Sequence, residues 1–388
     1  METMEMIATS SFGIEAVVSR ELKWLGYYDQ KVENGKVTFK GNIEALYKSN
    51  LWLRSAERVF IKVGEFKAIT FDELFEKTKA LPWEKWLPEN ACFPVEGKSI
   101  SSTLFSVSDC QAIVKKAIVE KMKLKYKKEW FDEDGPRYKI EVGLLKDTAT
   151  LTIDSSGVGL HKRGYRKLVT RAPLKETLAS AILLISRWKD EKYLIDPFCG
   201  SGTFPIEAAL IAKNIAPGLN REFDFDKWHN FDKVKFNNII EESKDLIKKD
   251  ISINIQGSDL DEEVLKKARY HAKLAGVYDD LHFQKRDVLE ISSKNKYGFI
   301  ICNPPYGERV DDETEVEKLY KMMGSVFKEF ETWSYYIFTS HENFERIFGK
   351  RANKKRKLYN GRKQCNLYQF FGPPPPKKNY LGEPKKII

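Results

Sequence analysis

A chain of 388 residues with 42% hydrophobic and 13% aromatic residues can bury two or three cores, and its composition excludes a disordered or fibrous protein. No run approaches the roughly 18 apolar residues of a membrane span, and Met1 to Ser10 lack a basic segment followed by an apolar one, so an intracellular, cytoplasmic protein is expected. The formal charge of +10 favours a polyanionic partner without demanding one; five widely spaced cysteines with no Cys-x-x-Cys pair read as reduced thiols and suggest neither a zinc site nor a redox dithiol.

In chain order, the region up to about residue 165 mixes short alternating segments with helical ones and reads as α+β. Lys36-Val37-Thr38-Phe39 follows the turn-prone Asn34-Gly35, and Tyr138-Lys139-Ile140-Glu141-Val142 alternates in the same way. Between them, residues 109–126 place Cys110, Ile113, Val114, Ala117, Ile118 and Met122 at helical spacing, surrounded by lysines at 115, 116, 121, 123, 125, 127 and 128. A solvated helix face accounts for such a charge run. Phosphate contact, with Lys115 and Lys116 as candidates, is the functional alternative.

From about residue 170 short buried strands alternate with helices, the pattern of a parallel sheet with helical crossovers. Strands are predicted at 192–196, 252–258, 281–286, 299–302 and 334–339, followed by a hairpin of 355–359 and 365–371 around Asn360-Gly361. Together they make a seven-stranded doubly wound α/β sheet. Residues 216–251 exceed what one crossover needs and carry Phe223, Phe225, Trp228, Phe231 and Phe236; an extra packing element over the sheet is expected, a base-contacting surface being the other reading. The tail from Pro373, four prolines and then lysines, is expected to be extended.

The chemistry concentrates in Asp196-Pro197-Phe198-Cys199-Gly200-Ser201-Gly202-Thr203, a glycine loop between a strand and a helix. It lacks both the Walker lysine and the full Gly-x-Gly-x-x-Gly of dinucleotide binders, so a phosphate ligand is not required. An adenosyl ligand with a methionine tail fits: Asp196 can receive its cationic amine, Asp259 both ribose hydroxyls, and Asp287 the adenine amino group. Aspartate and glycine are also ordinary turn residues, but carboxylates after three successive strands exceed what turns require. After the fourth strand, Asn303-Pro304-Pro305-Tyr306 offers the Asn303 amide oxygen and the Pro304 carbonyl as acceptors for a planar amino group, with Tyr306 to stack on its base. Cys199 and Cys302 flank this site and read as small packing residues, since an exocyclic amine needs no cysteine adduct.

The glycine loop and Asn303-Pro-Pro-Tyr306, with His161-Lys-Arg-Gly-Tyr-Arg166 and Ala172-Pro-Leu-Lys-Glu-Thr177, resemble the THUMP-containing RNA guanine-N2 methyltransferases, most closely the bacterial branch acting on 23S rRNA. The resemblance implies a ferredoxin-like segment at 1–50, a THUMP RNA-binding domain at 51–160, a Rossmann-like class I methyltransferase domain at 161–372 and a tail at 373–388. It implies S-adenosylmethionine held by Asp196, Phe198, Gly200, Gly202, Thr203, Asp259 and Asp287, with Lys175 and Glu176 at the methionine end. It also implies a target base at Asn303 to Tyr306, RNA phosphate near Lys162, Arg163 and Arg166, and transfer without a metal. Lacking the second methyltransferase domain of the fused rRNA enzyme, the chain is expected to perform only the guanine-N2 reaction, an arrangement shared with tRNA-modifying relatives. DNA adenine-N6 methylation and a non-catalytic RNA-binding assembly factor are the remaining alternatives.

Overall fold

In a computed structural model, which describes residues 3–168, 174–306 and 310–376, the chain builds two sheets of seven strands each. The first begins with β1 (Met4–Thr9), α1 (Glu15–Trp24), β2 (Gln30–Glu33), β3 (Lys36–Gly41) and α2 (Ile43–Trp52). Asn34-Gly35 closes the β2–β3 hairpin, with Glu33 opposite Lys36 and Gly35 at φ +76°, the left-handed conformation that favours glycine. The long β4 (Arg58–Lys67) follows, then α3 (Phe71–Lys79), β5 (Val95–Ile100), α4 (Val107–Tyr126), β6 (Ile140–Leu145) and β7 (Thr148–Asp154).

The order β2-β3-β1-β4-β7-β6-β5 makes β4 the seam, paired to β1 on one side and β7 on the other. Helix α4 forms where the 3.6-residue spacing predicts it: Cys110, Val114, Ala117, Ile118 and Met122 are buried, and the helix ends with Lys127 in the left-handed region.

The second sheet is fed by α5 (Glu176–Ser186), β8 (Leu194–Asp196), α6 (Thr203–Ala212), α7 (Lys233–Asp245), β9 (Ile255–Asp259), α8 (Glu262–Leu274), β10 (Leu281–Lys285), β11 (Phe299–Cys302), α9 (Val310–Lys328) and β12 (Ser334–Thr339). It closes with α10 (Phe344–Phe348), β13 (Lys354–Asn360) and β14 (Lys363–Phe370). The order is β10-β9-β8-β11-β12-β14-β13, parallel through β12 and antiparallel in the final hairpin. Strands β11 and β12 have the predicted bounds. Strands β8 and β9 begin two and three residues later than expected: the chain enters the sheet only at Leu194, whose N–H reaches the Asn254 carbonyl at 2.9 Å. This is the Rossmann-like sheet expected.

The aromatic segment departs from expectation. It does not simply lie over the catalytic sheet; it fills the core of the first module. Trp228 stacks on Tyr138 and Phe225 on Tyr47, each at 5.0 Å between ring centroids, and Phe231 and Phe236 close edge-on around Tyr47. The physical reason is partner chemistry: both tyrosines are almost wholly buried and present ring faces, and each such aromatic pair adds about 0.5–1.5 kcal/mol beyond the area it buries.

Candidate active site

In an open parallel sheet ligands bind where the strand order reverses, beyond the carboxyl ends of the strands. Here that point lies between β8 and β11, since the chain goes from β8 to its neighbour β9 on one side and later returns to β11 on the other. Asp196 ends β8, Asp259 ends β9, Asp287 follows β10 and Asn303 follows β11, so four predicted site residues stand in one row along this edge. Three interstrand steps of about 4.8 Å give the row a span of about 14 Å.

The glycine loop is built to let a ligand approach. Gly200 has φ +52°, and a Cβ placed there would meet nothing within 4 Å; Gly202, at φ +87°, would instead press Ala268 at 3.1 Å and Phe283 at 3.2 Å. The first glycine keeps the loop open and the second lets α6 pack closely. Helix α6 starts with Pro205 in its first turn, where a missing N–H costs no helical bond. Asp259 holds the loop from below: Oδ2 accepts from the Gly200 N–H at 3.0 Å and Oδ1 from the Asp261 N–H at 3.1 Å. Asp196 is 1% exposed and accepts from the Phe198 N–H at 3.1 Å. Burial pushes its carboxyl well above the ordinary range, and the Asp259 charge pushes the same way.

An acid driven up by burial gains most from an adjacent cation. The buried Asp196 and the half-buried Asp259 beside an open glycine turn therefore fit the ammonium and diol of S-adenosylmethionine. Asp287 caps the short turn that follows it, its Oδ1 accepting from the Leu289 N–H at 2.9 Å. Both site cysteines are buried and their thiols are pushed well up by that burial, which disfavours a nucleophilic thiolate.

Behind the loop runs a chain of ion pairs that sequence reasoning did not find. The Arg166 Nε lies 3.4 Å from Glu176 and its guanidinium donates to Thr203 Oγ1 and, at 3.3 Å, to the Leu174 carbonyl. It ties the start of α5 to the start of α6, and its side chain is 11% exposed. Lys175 reaches Glu57 at 3.0 Å, where Thr177 also donates, at 2.9 Å. One expected RNA contact, Arg163, is corrected by its burial. It donates to the Leu160 and Arg54 carbonyls and faces Glu207 at 3.5 Å. Lys115 is paired with Glu133 at 2.6 Å over the Phe93 ring, whereas Lys116 and Lys162 are exposed. Ala172, Pro173 and the lysines from residue 377 lie outside the described residues.

Buried His271 is a second feature with no sequence signal. The Leu168 N–H donates to its Nε2 at 3.3 Å, which leaves Nδ1 to carry the proton toward the Ser201 carbonyl, also at 3.3 Å. Burial lowers its pKa, so the folded protein binds this proton more weakly than the unfolded chain. Its contribution to stability is complete above the ordinary imidazole pKa near 6.5 and is lost as pH falls through that value toward the lowered one. The urea midpoint should be flat from pH 8 to 7 and fall below pH 6.5, less steeply in His271→Asn. An equal fall in the variant would assign the loss to another group.

At the far end of the row the Asn303 loop is anchored from below: Tyr320 donates to the Pro305 carbonyl at 2.7 Å and meets Thr339 Oγ1 at 2.9 Å. Pro304 is buried and Pro305 exposed. Tyr306 turns its hydroxyl back onto Asn303 Oδ1, and its ring sits against the core with the Lys363 ammonium 4.9 Å from its centroid.

Comparison with known proteins now decides the family. The family profile described as the RMKL-like methyltransferase domain matches residues 163–369. The chain belongs to this methyltransferase family. Residues 5–60 match the RlmL ferredoxin-like domain and residues 68–154 the THUMP domain. The chain is an RNA methyltransferase of this family, and S-adenosylmethionine is its methyl donor.

It is 49% identical over 373 residues, 96% of this chain and 97% of the relative, to YpsC of Bacillus subtilis, named as a candidate RNA methyltransferase. A Listeria monocytogenes structure, named as a predicted N6-adenine-specific DNA methylase, superposes with a TM-score of 0.92 at 51% identity, covering 96% and 97% of the two chains. SMU.472, a candidate methyltransferase solved with SAH, gives 0.91 at 46% identity and 96% and 99% coverage. No described helix is long and apolar enough to cross a membrane.

Proposed function

We propose that the chain transfers the methyl group of S-adenosylmethionine to the exocyclic N2 of a guanosine in 23S rRNA. In this reading residues 51–160 hold the RNA and residues 161–372 carry the chemistry. The observation that supports it is the Asn303 loop, anchored by Tyr320 and standing in the same row as Asp196 and Asp259.

The bound cofactor supplies an electrophilic methyl on a sulfonium. Asp196 receives the methionine amine, Asp259 the ribose hydroxyls and Asp287 the adenine amine. Arg166 and Glu176 keep α5 and α6 in register beneath the methionine end. Asn303 Oδ1 and the Pro304 carbonyl accept the two N–H groups of the target amine and point its lone pair along the transfer direction. This is catalysis by positioning: the nitrogen–methyl bond forms as the sulfonium–methyl bond breaks, S-adenosylhomocysteine leaves as the neutral thioether, and the methylated amine loses one proton to water. Asn303 Oδ1 has two lone pairs, so it can hold the Tyr306 hydroxyl and the substrate amine together. For Tyr306 to stack on the base its ring turns out from the core it packs against, with Lys363 beside it.

A second reading, adenine N6 as the acceptor, is favoured by the name of the Listeria relative and by the suitability of the same two acceptors for that amine. Methyl transfer from labelled S-adenosylmethionine to 23S rRNA, tRNA and genomic DNA from a strain lacking the gene, with nucleoside analysis, separates the readings. N2-methylguanosine in 23S rRNA alone is the expected result. The same product in tRNA alone moves the substrate to tRNA, and N6-methyladenine overturns the guanine reading.

A further inference from the structure

Away from the catalytic row, α1 and the end of α5 stand over the antiparallel edge of the second sheet and leave a groove of about 480 Å³. Four of its lining residues are cations, Arg20, Arg187, Lys354 and Arg356, and none is a carboxylate. The acid next to Arg20 in sequence, Glu21, is committed elsewhere, accepting from the N–H groups of Arg54 at 2.8 Å and Ser55 at 3.1 Å.

The arginines are held in place by backbone carbonyls: Arg20 donates to Leu184 and Arg356 to Gly13, each at 2.9 Å. Three further donors, Arg20 Nε, Arg356 Nε and Gln369 Nε2, are buried and have no partner among the described residues, and Gln369 is only 3% exposed. Burial and the charges of Arg187 and Arg356 lower the pKa of Arg20.

Buried donors without acceptors are costly, and like charges brought together add to that cost. Both costs fall when an acceptor-rich anion enters. Phosphate offers several oxygens to such a cluster and suits guanidinium groups.

We infer that this groove binds a phosphodiester of the RNA substrate, at a nucleotide some way along the strand from the one that is methylated. The inference rests on the RNA reading above. Its position agrees with that: β13, which carries Lys354 and Arg356, lies three strand spacings, about 14 Å, from β11 and Asn303. The exposed Arg187 and Lys354 form the rim that meets a polyanionic strand, and the buried donors form the floor.

The test is the double variant Arg187→Gln/Lys354→Gln. Neither side chain makes a hydrogen bond or ion pair among the described residues, so the fold should survive, as its melting temperature will report. The KM for RNA should rise about tenfold at moderate salt, and the slope of log affinity against log salt should fall by about 0.7, the share of one phosphate no longer neutralised. The kcat and the affinity for S-adenosylmethionine should stay at wild-type values, and a fall in kcat at unchanged KM would overturn the groove as an RNA contact. A wild-type KM and salt slope in a variant whose parent methylates RNA would overturn the groove while leaving the RNA reading intact. Stabilisation of the wild type but not the variant by inorganic phosphate, with an unchanged RNA KM, would assign the groove to a free anion and also overturn it. A parent that neither binds nor methylates any RNA would overturn both.

Discussion

Asn303→Ala should lower kcat for methyl transfer by about 100- to 1,000-fold while the affinity for S-adenosylmethionine stays unchanged. The alanine leaves β11, the two prolines and the Tyr320 anchor in place, so the loop keeps its course. What disappears is one of the two acceptors that would orient the amine. Loss of near-attack geometry by about 1 Å is worth about 100-fold on its own, and removing a preorganised polar partner from a dry site costs up to about 1,000-fold. Tyr306→Phe tests the neighbouring role: it removes only the hydroxyl that donates to Asn303, and about a tenfold loss is expected. Isothermal titration with the cofactor and single-turnover transfer to RNA are the measurements. A kcat within threefold of wild type for Asn303→Ala would remove Asn303 from the mechanism.

The second large effect is on stability. Glu207 in α6 is fully buried and receives the Tyr165 hydroxyl at 3.0 Å, the Ser180 hydroxyl and the Arg163 guanidinium at 3.5 Å. Arg163 in turn donates to the carbonyl of Arg54, a residue of the first module, and Arg54 donates to the Ile215 carbonyl at 2.8 Å behind α6. Burial lowers the pKa of Arg54 to about 10 and raises that of Tyr165 well above its ordinary value. Glu207→Ala strands the Arg163 charge in this interior, and breaking a buried pair from one side costs about 3–5 kcal/mol. Equilibrium denaturation should show that loss, and the pair Arg163→Met/Glu207→Leu should recover much of it because no charge is then left unpaired. A single-variant loss below about 1 kcal/mol would show that water already reaches the network.

These two sites differ in how far the sequence announces them. The strand Phe299–Cys302 is four apolar residues followed by Asn-Pro-Pro, and the hairpin around Asn360-Gly361 is written in local turn chemistry; both need only near neighbours. The aspartate row was legible for the same reason, since each acid follows its own strand. Arg163 was not, because in a segment with Lys162, Arg166 and Lys167 it looks like one more surface cation. Its partner, Glu207, is separated from it by 44 residues. The available signal was Glu207 itself, a lone carboxylate in the apolar run Phe204-Pro205-Ile206-Glu207-Ala208-Ala209-Leu210, which requires a buried cation or donor. The aromatic segment failed for a related reason: its hydrophobicity is visible, but which core receives it depends on Tyr47 and Tyr138, far upstream.

That exchange of aromatic rings also bears on how the protein is made. Domains generally fold in order as they leave the ribosome, yet here the core of the first module lacks Phe223, Phe225, Trp228 and Phe236 until synthesis has passed them. The amino-terminal half therefore emerges with the faces of Tyr47 and Tyr138 uncovered, and its final consolidation is tied to synthesis of the first part of the catalytic half.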